Sequence, residues 1–240
     1  MLEARALTKC YGLGPPALER FSLVVPDGAI VALLGANGAG KSTTMRCFLD
    51  FTRPTSGQAM VDGIDVAREP LRAKARLAYV PETVAVYESL SGRQNLTFFA
   101  ALDGRPSLGR AEATRRLLDA GLAPDAVERR VREYSKGMRQ KLGLAIAHAR
   151  GARNYLLDEP TSGLDPEAAA ELMASLAALR TGGAAILMAT HDVFRARDVA
   201  DRIVVLRRGR MVASLGRDEY AETHPEQLYR GALAADGGFG

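Results

Sequence analysis

Gly35-Ala36-Asn37-Gly38-Ala39-Gly40-Lys41-Ser42-Thr43 is the stretch on which the fold turns. It fits G-x-x-x-x-G-K-[ST] with both ends filled. The apolar run Ile30-Val31-Ala32-Leu33-Leu34 leads in, and a helical pattern follows from Ser42 to Leu49. Strand, glycine loop and helix in that order form a phosphate loop. The glycines let successive backbone N–H groups turn inward on a polyphosphate without Cβ clash. The helix N-terminus adds a partial positive charge. Lys41 can reach the β- and γ-phosphates, and the Ser42 hydroxyl is placed to ligate Mg²⁺. A nucleoside triphosphate is therefore the expected ligand.

Working outward, the 240 residues suit one large domain, or a core with a subdomain. Hydrophobic residues make up 47%. No apolar run reaches the roughly eighteen residues of a membrane-spanning helix. Met1-Leu2-Glu3-Ala4-Arg5 lacks a charged-then-apolar signal pattern. The two cysteines, Cys10 and Cys47, make no metal spacing, and no disulfide is expected. A reducing cytoplasm is the default. The net charge of +4 is uneven: residues 105–153 carry ten Arg and two Lys against three Glu and two Asp. That stretch has no interleaved aromatics, so nucleic acid is not an expected partner. It reads as a solvated helical surface.

The pattern along the chain is α/β with an inserted helical part. Strands are expected at Leu2–Leu7, Leu18–Val25, Ile30–Leu34, Gln58–Asp62 and Leu77–Val80. Ser91 and Gln94 form a capping box ahead of Leu96, Phe98, Phe99 and Leu102. Ser107–Gly121 and Ala126–Arg132 read as helix, and a longer helix starts near Ser135. Alternation then resumes with a buried strand at Tyr155–Leu157. Asp165-Pro166 supplies an N-cap and N1 proline for the next helix. Ala185–Ala189 and Ile203–Leu206 read as strands, and Arg210–Leu215 as a hairpin partner. These spans divide the chain into a core (1–82 and 152–216), a helical insertion (83–151) and a helical tail (217–240), with a short helix near Asp218–Leu233 and a frayed end at Ala234–Gly240.

Further chemistry gathers at strand ends. Asn154-Tyr155-Leu156-Leu157-Asp158-Glu159 is an apolar strand ending in two carboxylates. In a parallel sheet such an end faces the ligand crevice. Asp158 can hold Mg²⁺, leaving Glu159 to orient an attacking water or accept its proton. His191 ends the strand Ala185–Thr190, within reach of a γ-phosphate. Tyr134-Ser135-Lys136-Gly137-Met138-Arg139-Gln140 opens a helix whose N-terminus is a second anion site.

Taken in order, these motifs resemble the ATPase subunit of an ABC transporter over essentially the whole chain. Gly35–Thr43 is similar to Walker A, Tyr155–Glu159 to Walker B, and Tyr134–Met138 to the Leu-Ser-Gly-Gly-Gln signature. Ser162-Gly163-Leu164-Asp165 resembles the D-loop, His191 the switch histidine, and Tyr11 the aromatic that stacks on adenine. The resemblance implies a P-loop NTPase (RecA-like) core with N-terminal antiparallel β segments and an inserted helical subdomain. It implies ATP and Mg²⁺ as ligands and a head-to-tail homodimer. Each ATP would lie between one copy's phosphate loop and Ser135, Lys136 and Gly137 of the other. The chain would sit on the inner face of the cell membrane through a separate permease.

Two departures from that pattern stand out. The glutamine expected after Leu77–Val80 is replaced in Tyr79-Val80-Pro81-Glu82, where Glu82 can still offer oxygen to Mg²⁺. The signature carries Lys136 in place of glycine and Met138 in place of glutamine. Lys136 can add positive charge near the partner's ATP. Both departures resemble bacterial ABC-2-type export ATPases. Tyr79–Glu82 through Leu90-Ser91-Gly92-Arg93 is similar to transporter ATPases serving copper-site (nitrous oxide reductase) maturation. A permease coupling helix is expected against Val84, Val86, Tyr87 and Leu90. The alternative is a non-transport ABC ATPase acting on a macromolecular complex. Such proteins usually carry tandem ATPase units or a long coiled-coil insertion, and neither pattern occurs here.

Overall fold

The computed structural model describes residues 1–102 and 108–221. The chain opens with β1 (Leu2–Lys9), β2 (Leu18–Val25) and β3 (Ala29–Leu34), then α1 (Lys41–Phe48). β4 (Ser56–Val61), β5 (Ile64–Asp65), α2 (Pro70–Lys74) and β6 (Leu77–Val80) follow. The helical stretch holds α3 (Gly92–Leu102), α4 (Arg110–Asp119) and α5 (Lys136–Ala149). β7 (Asn154–Asp158), α6 (Pro166–Thr181), β8 (Ala185–Thr190) and α7 (Val193–Val199) resume the alternation. β9 (Arg202–Arg207), β10 (Arg210–Gly216) and α8 (Arg217–Ala221) complete it.

Two sheets carry the architecture. A four-stranded antiparallel sheet runs β2-β1-β4-β5. A six-stranded sheet runs β10-β9-β3-β8-β7-β6, parallel except for the β9–β10 hairpin. β3 lies between β8 and β9, and its residues 30–34 are buried on both faces. Val31 and Leu33 point with Leu187 towards the antiparallel sheet, packing with Leu2, Phe21 and Phe48. Ile30, Ala32 and Leu34 point the other way, with Ile186, Met188, Leu172 and Leu176. A strand covered on both faces needs a continuous apolar run rather than alternation, as this segment supplies. The structure is thus the mixed α/β P-loop NTPase fold with an antiparallel β layer and a helical insertion.

The insertion has its own core of Leu96, Leu117, Leu122, Val131, Tyr134 and Leu142. The Ser91–Gln94 capping box forms in both directions: Ser91 N–H donates to Gln94 Oε1 at 2.9 Å, and Gln94 N–H to Ser91 Oγ at 3.2 Å. The helix expected over Ala126–Arg132 is replaced by two short 3-10 turns, Pro124–Ala126 and Val131–Glu133. The backbone there is spent elsewhere. Val131 N–H donates to Leu90 O and Arg132 N–H to Glu88 O, both at 3.0 Å. Ser107 and the residues beyond Ala221, including Asp218–Leu233 in part and Ala234–Gly240, lie outside the described residues where those helix and tail expectations fell.

Leu187 is fully buried at the centre of β8. Leu187→Ala is expected to remove about 2–5 kcal/mol of stability through lost transfer energy and the cavity left behind. A urea titration reads this as a lower midpoint; a loss under about 1 kcal/mol would mean the site collapses around the gap.

Candidate active site

The parallel strands bring their C-terminal ends to one edge. β3 delivers Gly35–Thr43, β7 delivers Asp158 and Glu159, and β8 delivers His191. Gly40 sits at the N-cap of α1 with φ +116°, a left-handed backbone that favours glycine. A Cβ there would lie 2.7 Å from Ala17 O. Ala36, Asn37, Gly38 and Ser42 are exposed along the loop, Thr43 is half-buried, and Ala39 and Gly40 are buried. The loop therefore offers backbone and hydroxyl to solvent while its base is anchored to the core.

Lys41 is 6% exposed. Its Nζ donates to Gly35 O at 2.6 Å and lies 3.7 Å from Glu159 Oε1. The other oxygen, Oε2, lies 2.9 Å from His191 Nδ1 and also accepts from the His191 backbone N–H at 3.3 Å. A carboxylate only accepts, so Nδ1 is the protonated nitrogen in this contact. Glu159 thus joins the loop lysine to the histidine. It does so from an unusual backbone, with φ +46°. Its N–H donates to Ala189 O at 2.8 Å, which continues the β7–β8 ladder past the strand's end.

Asp158 is half-buried beside it. Burial, reinforced by Glu159 and by Glu82, pushes its carboxyl above the ordinary range against an opposing pull from Lys41. Tyr79 lies beside it, and burial together with the Asp158 charge raises the Tyr79 phenol. Ser42, Asp158 and Glu82 are oxygen donors, the set a hard divalent cation takes. Among the described residues no three His, Cys, Asp or Glu side chains form a metal cluster.

The remaining expected residues lie on other elements. Ser135 caps α5, its Oγ accepting from Met138 N–H at 3.2 Å. Gly137 is buried where α5 meets α6; a Cβ there would lie 2.9 Å from Ala168 Cβ. Asp165 caps α6 through Ala168 N–H at 2.8 Å. Lys136 Nζ lies 3.7 Å from Glu82 Oε1, an oxygen that also accepts from Ser162 Oγ at 2.9 Å. Tyr11 is 49% exposed beyond β1, with Lys9 Nζ 5.0 Å from its ring centroid. Three residues carry more than the sequence reading gave them: Tyr79, Ser162 and Gln140. Gln140 is buried, and its Nε2 donates to Glu82 O at 2.7 Å and more weakly to Pro81 O. A glutamine on the buried face of a helix was the available signal.

Fold and site define a P-loop NTPase. The ABC transporter family model matches residues 18–162, and the chain belongs to that family as an ATP-binding domain. Among similar proteins, the daunorubicin resistance ATP-binding protein DrrA2 of Streptomyces coeruleorubidus is 41% identical over 215 residues, 88% of this chain and 66% of the relative. DrrA3 of the same organism is 38% identical over 92% of this chain and 70% of its own length. The chain spans about two thirds of the length of these resistance proteins, and about a tenth of ATP-binding cassette sub-family A member 7 of Rattus norvegicus, which it also resembles. Among solved structures, an ATP-binding subunit of an ABC transporter superposes with TM-score 0.83 at 31% identity, over 97% of this chain and 99% of that one. A dimeric ATP-binding cassette bound to ADP and Pi shares the fold at TM-score 0.79 and 24% identity, over 90% of this chain and 99% of that one.

The raised Asp158 carboxyl has a consequence for stability. A group raised in the folded state supports folding fully below its unfolded pKa and loses that support as pH climbs through the folded value. Ionised Asp158 therefore costs stability at neutral pH. Asp158→Asn is expected to raise Tm at pH 7, by about 2–4 °C for each kcal/mol of that cost. The gain should vanish near pH ~3. Thermal melts at the two pH values measure it; an equal gain at both would assign the effect to something other than charge.

Proposed function

We propose that the chain binds and hydrolyses ATP to power a separate membrane permease, working as a pair of copies around two ATP molecules. The observation that carries this is the Glu159 carboxylate shared between Lys41 and His191. Glu159 orients a water and takes its proton as the oxygen attacks the γ-phosphorus, giving ADP and phosphate. The His191 contact fixes the carboxylate; protonated on both nitrogens, the ring also donates to a phosphate oxygen. Lys41 and the loop N–H groups stabilise the charge on the β- and γ-phosphates, and Tyr11 stacks on the adenine. Ser42 and Asp158 would hold Mg²⁺, while Glu82 is held by Ser162 and Lys136. The metal's contribution is to neutralise phosphate charge.

Ser135 and Gly137 serve the ATP of the other copy in this reading, with Asp165 on the shared surface, while Lys136 faces Glu82 of its own chain at 3.7 Å. ATP is then the bridging ligand of a two-fold pair, and its hydrolysis releases the copies. No helix among the described residues is long and apolar enough to cross a membrane. In this reading the membrane work belongs to a partner. Its docking surface is the junction of core and insertion. Tyr87 is half-exposed there, packed edge-on at 4.9 Å between ring centroids with Phe98. Phe98 and Leu102 also stand in solvent, and Val84 and Val86 pack beneath. An ABC-2-type permease on the inner face of the cell membrane is the partner we assign, in the export direction. Relatives named for daunorubicin and doxorubicin resistance favour an organic small molecule as cargo. The copper-site reading rests on the Tyr79–Arg93 motifs alone.

Glu159→Gln is expected to keep ATP affinity while slowing turnover by about 10²-fold or more. Lys41→Ala is expected to weaken ATP binding at least about tenfold. Nucleotide titration and phosphate release measure both; undiminished turnover in the first variant would remove Glu159 from catalysis. A photo-crosslinker at Tyr87 in native membranes should capture an integral membrane subunit. Capture of soluble proteins alone would move the docking surface elsewhere.

A further inference from the structure

Two of the three positions at which this chain departs from the motifs it resembles, Glu82 and Lys136, meet in space. Lys136 Nζ stands 3.7 Å from Glu82 Oε1, although 54 residues separate them in the chain. The same oxygen accepts from Ser162 Oγ at 2.9 Å. The Lys136 ammonium also lies against Gly163, where an added Cβ would come within 3.3 Å of Nζ. The Glu82 backbone is held as well, its carbonyl accepting from the buried Gln140 one turn along α5. One carboxylate therefore joins three segments: the turn after β6, the first turn of α5, and the loop before α6.

Charge explains why the contact is needed. Glu82 interacts electrostatically with Asp158, which already neighbours Glu159. Three carboxylates beside a polyphosphate site would repel the ligand. Lys41 stands 3.7 Å from Glu159 Oε1, while the ammonium against Glu82 is that of Lys136. A lysine at the first position of α5 does not gain from the helix dipole, which disfavours a cation there. Its placement makes sense as a counter-charge to Glu82.

We propose that Lys136 is the positioning residue for Glu82. It neutralises the extra carboxylate and, with Ser162, holds it between the signature helix and the D-loop. Each of the two depends on the other. Lysine without the glutamate leaves a cation at a helix N-terminus; glutamate without the lysine adds negative charge beside the phosphates. Because α5 also presents Ser135 to the neighbouring copy in the reading above, the pair ties a chain's own metal side to the surface it offers its twin.

The test is a charge cycle in the full chain with Lys136→Gln, Glu82→Gln, both together, and the swap Glu82→Lys with Lys136→Glu. Amide hydrogen exchange over residues 134–141 and 160–164 reports the contact without nucleotide. Either neutralisation should speed exchange by about two- to five-fold, the scale of a half-exposed pair. The second should add little, and the swap should slow it again. Raising NaCl from 0.05 to 0.5 M should reproduce the single-variant effect in the wild type and the swap, and not in the neutralised variants. Multiplying effects of the two neutralisations, or no change in exchange, would overturn the proposal. The Mg·ATP titration rests on the ATP reading. There Lys136→Gln should weaken binding about two- to five-fold, and adding Glu82→Gln should recover most of the loss. A double variant as weak as Lys136→Gln would overturn the charge argument. Failure of the wild type to bind Mg·ATP would instead sink the ATP reading, leaving the exchange result to decide the pairing.

Discussion

The carboxylate of Glu159 spans the gap between two strand ends, with Lys41 at one oxygen and His191 at the other. That contact requires β3, β7 and β8 to end at the same level, because each supplies one member. The register enforces it. Leu34 pairs with Thr190, and Asp158 with Ala189, so the three exits fall within one residue of each other. Every apolar residue of β3 and β8 that packs above or below the sheet holds that level. Core and chemistry are thus one problem: a slip of one residue would invert the buried faces and part the three groups together.

The helical insertion meets this edge through α5. Near its start, Gly137 allows close approach to Ala168 on α6, and Lys136 reaches Glu82. One turn on, Gln140 takes the Pro81 and Glu82 carbonyls. Beyond that, Gly143 leaves room for Val84, whose Cγ2 would lie 2.8 Å from an added Cβ. A single helical face therefore carries polar and steric contacts to the segment running from β6 towards Tyr87. Movement of that segment must be felt at the first turn of α5. This is a mechanical basis for linking a docking surface to a nucleotide site by rigid elements rather than by a loop.

Much of this was legible in the sequence where the signal was local. Leu18–Val25 and Leu77–Val80 stand as strands at the expected limits, and Asp165-Pro166 opens α6 as its cap chemistry dictates. The phosphate loop and the Glu159–His191 pairing followed from motif and position at strand ends. What escaped was long-range. The stretch Ala126–Arg132 has helix-compatible composition, but the Val131 and Arg132 amides are claimed by the Leu90 and Glu88 carbonyls across the chain. The Glu82–Ser162–Lys136 contact joins three segments that no periodicity connects. Tyr79 looked like one more strand residue until Asp158 was seen beside it.

Glu159 holds a left-handed backbone that a residue with a side chain enters at a cost of about 1–3 kcal/mol. The fold carries that debt at the one position where the carboxylate must leave the ladder and turn between strands. A glycine there would relax the turn and strengthen the molecule, yet it would erase the carboxylate that the proposed hydrolysis needs. Selection for robustness and selection for turnover therefore oppose each other at this residue, so a library screened on thermal resistance alone would drift towards a sturdy, inert protein.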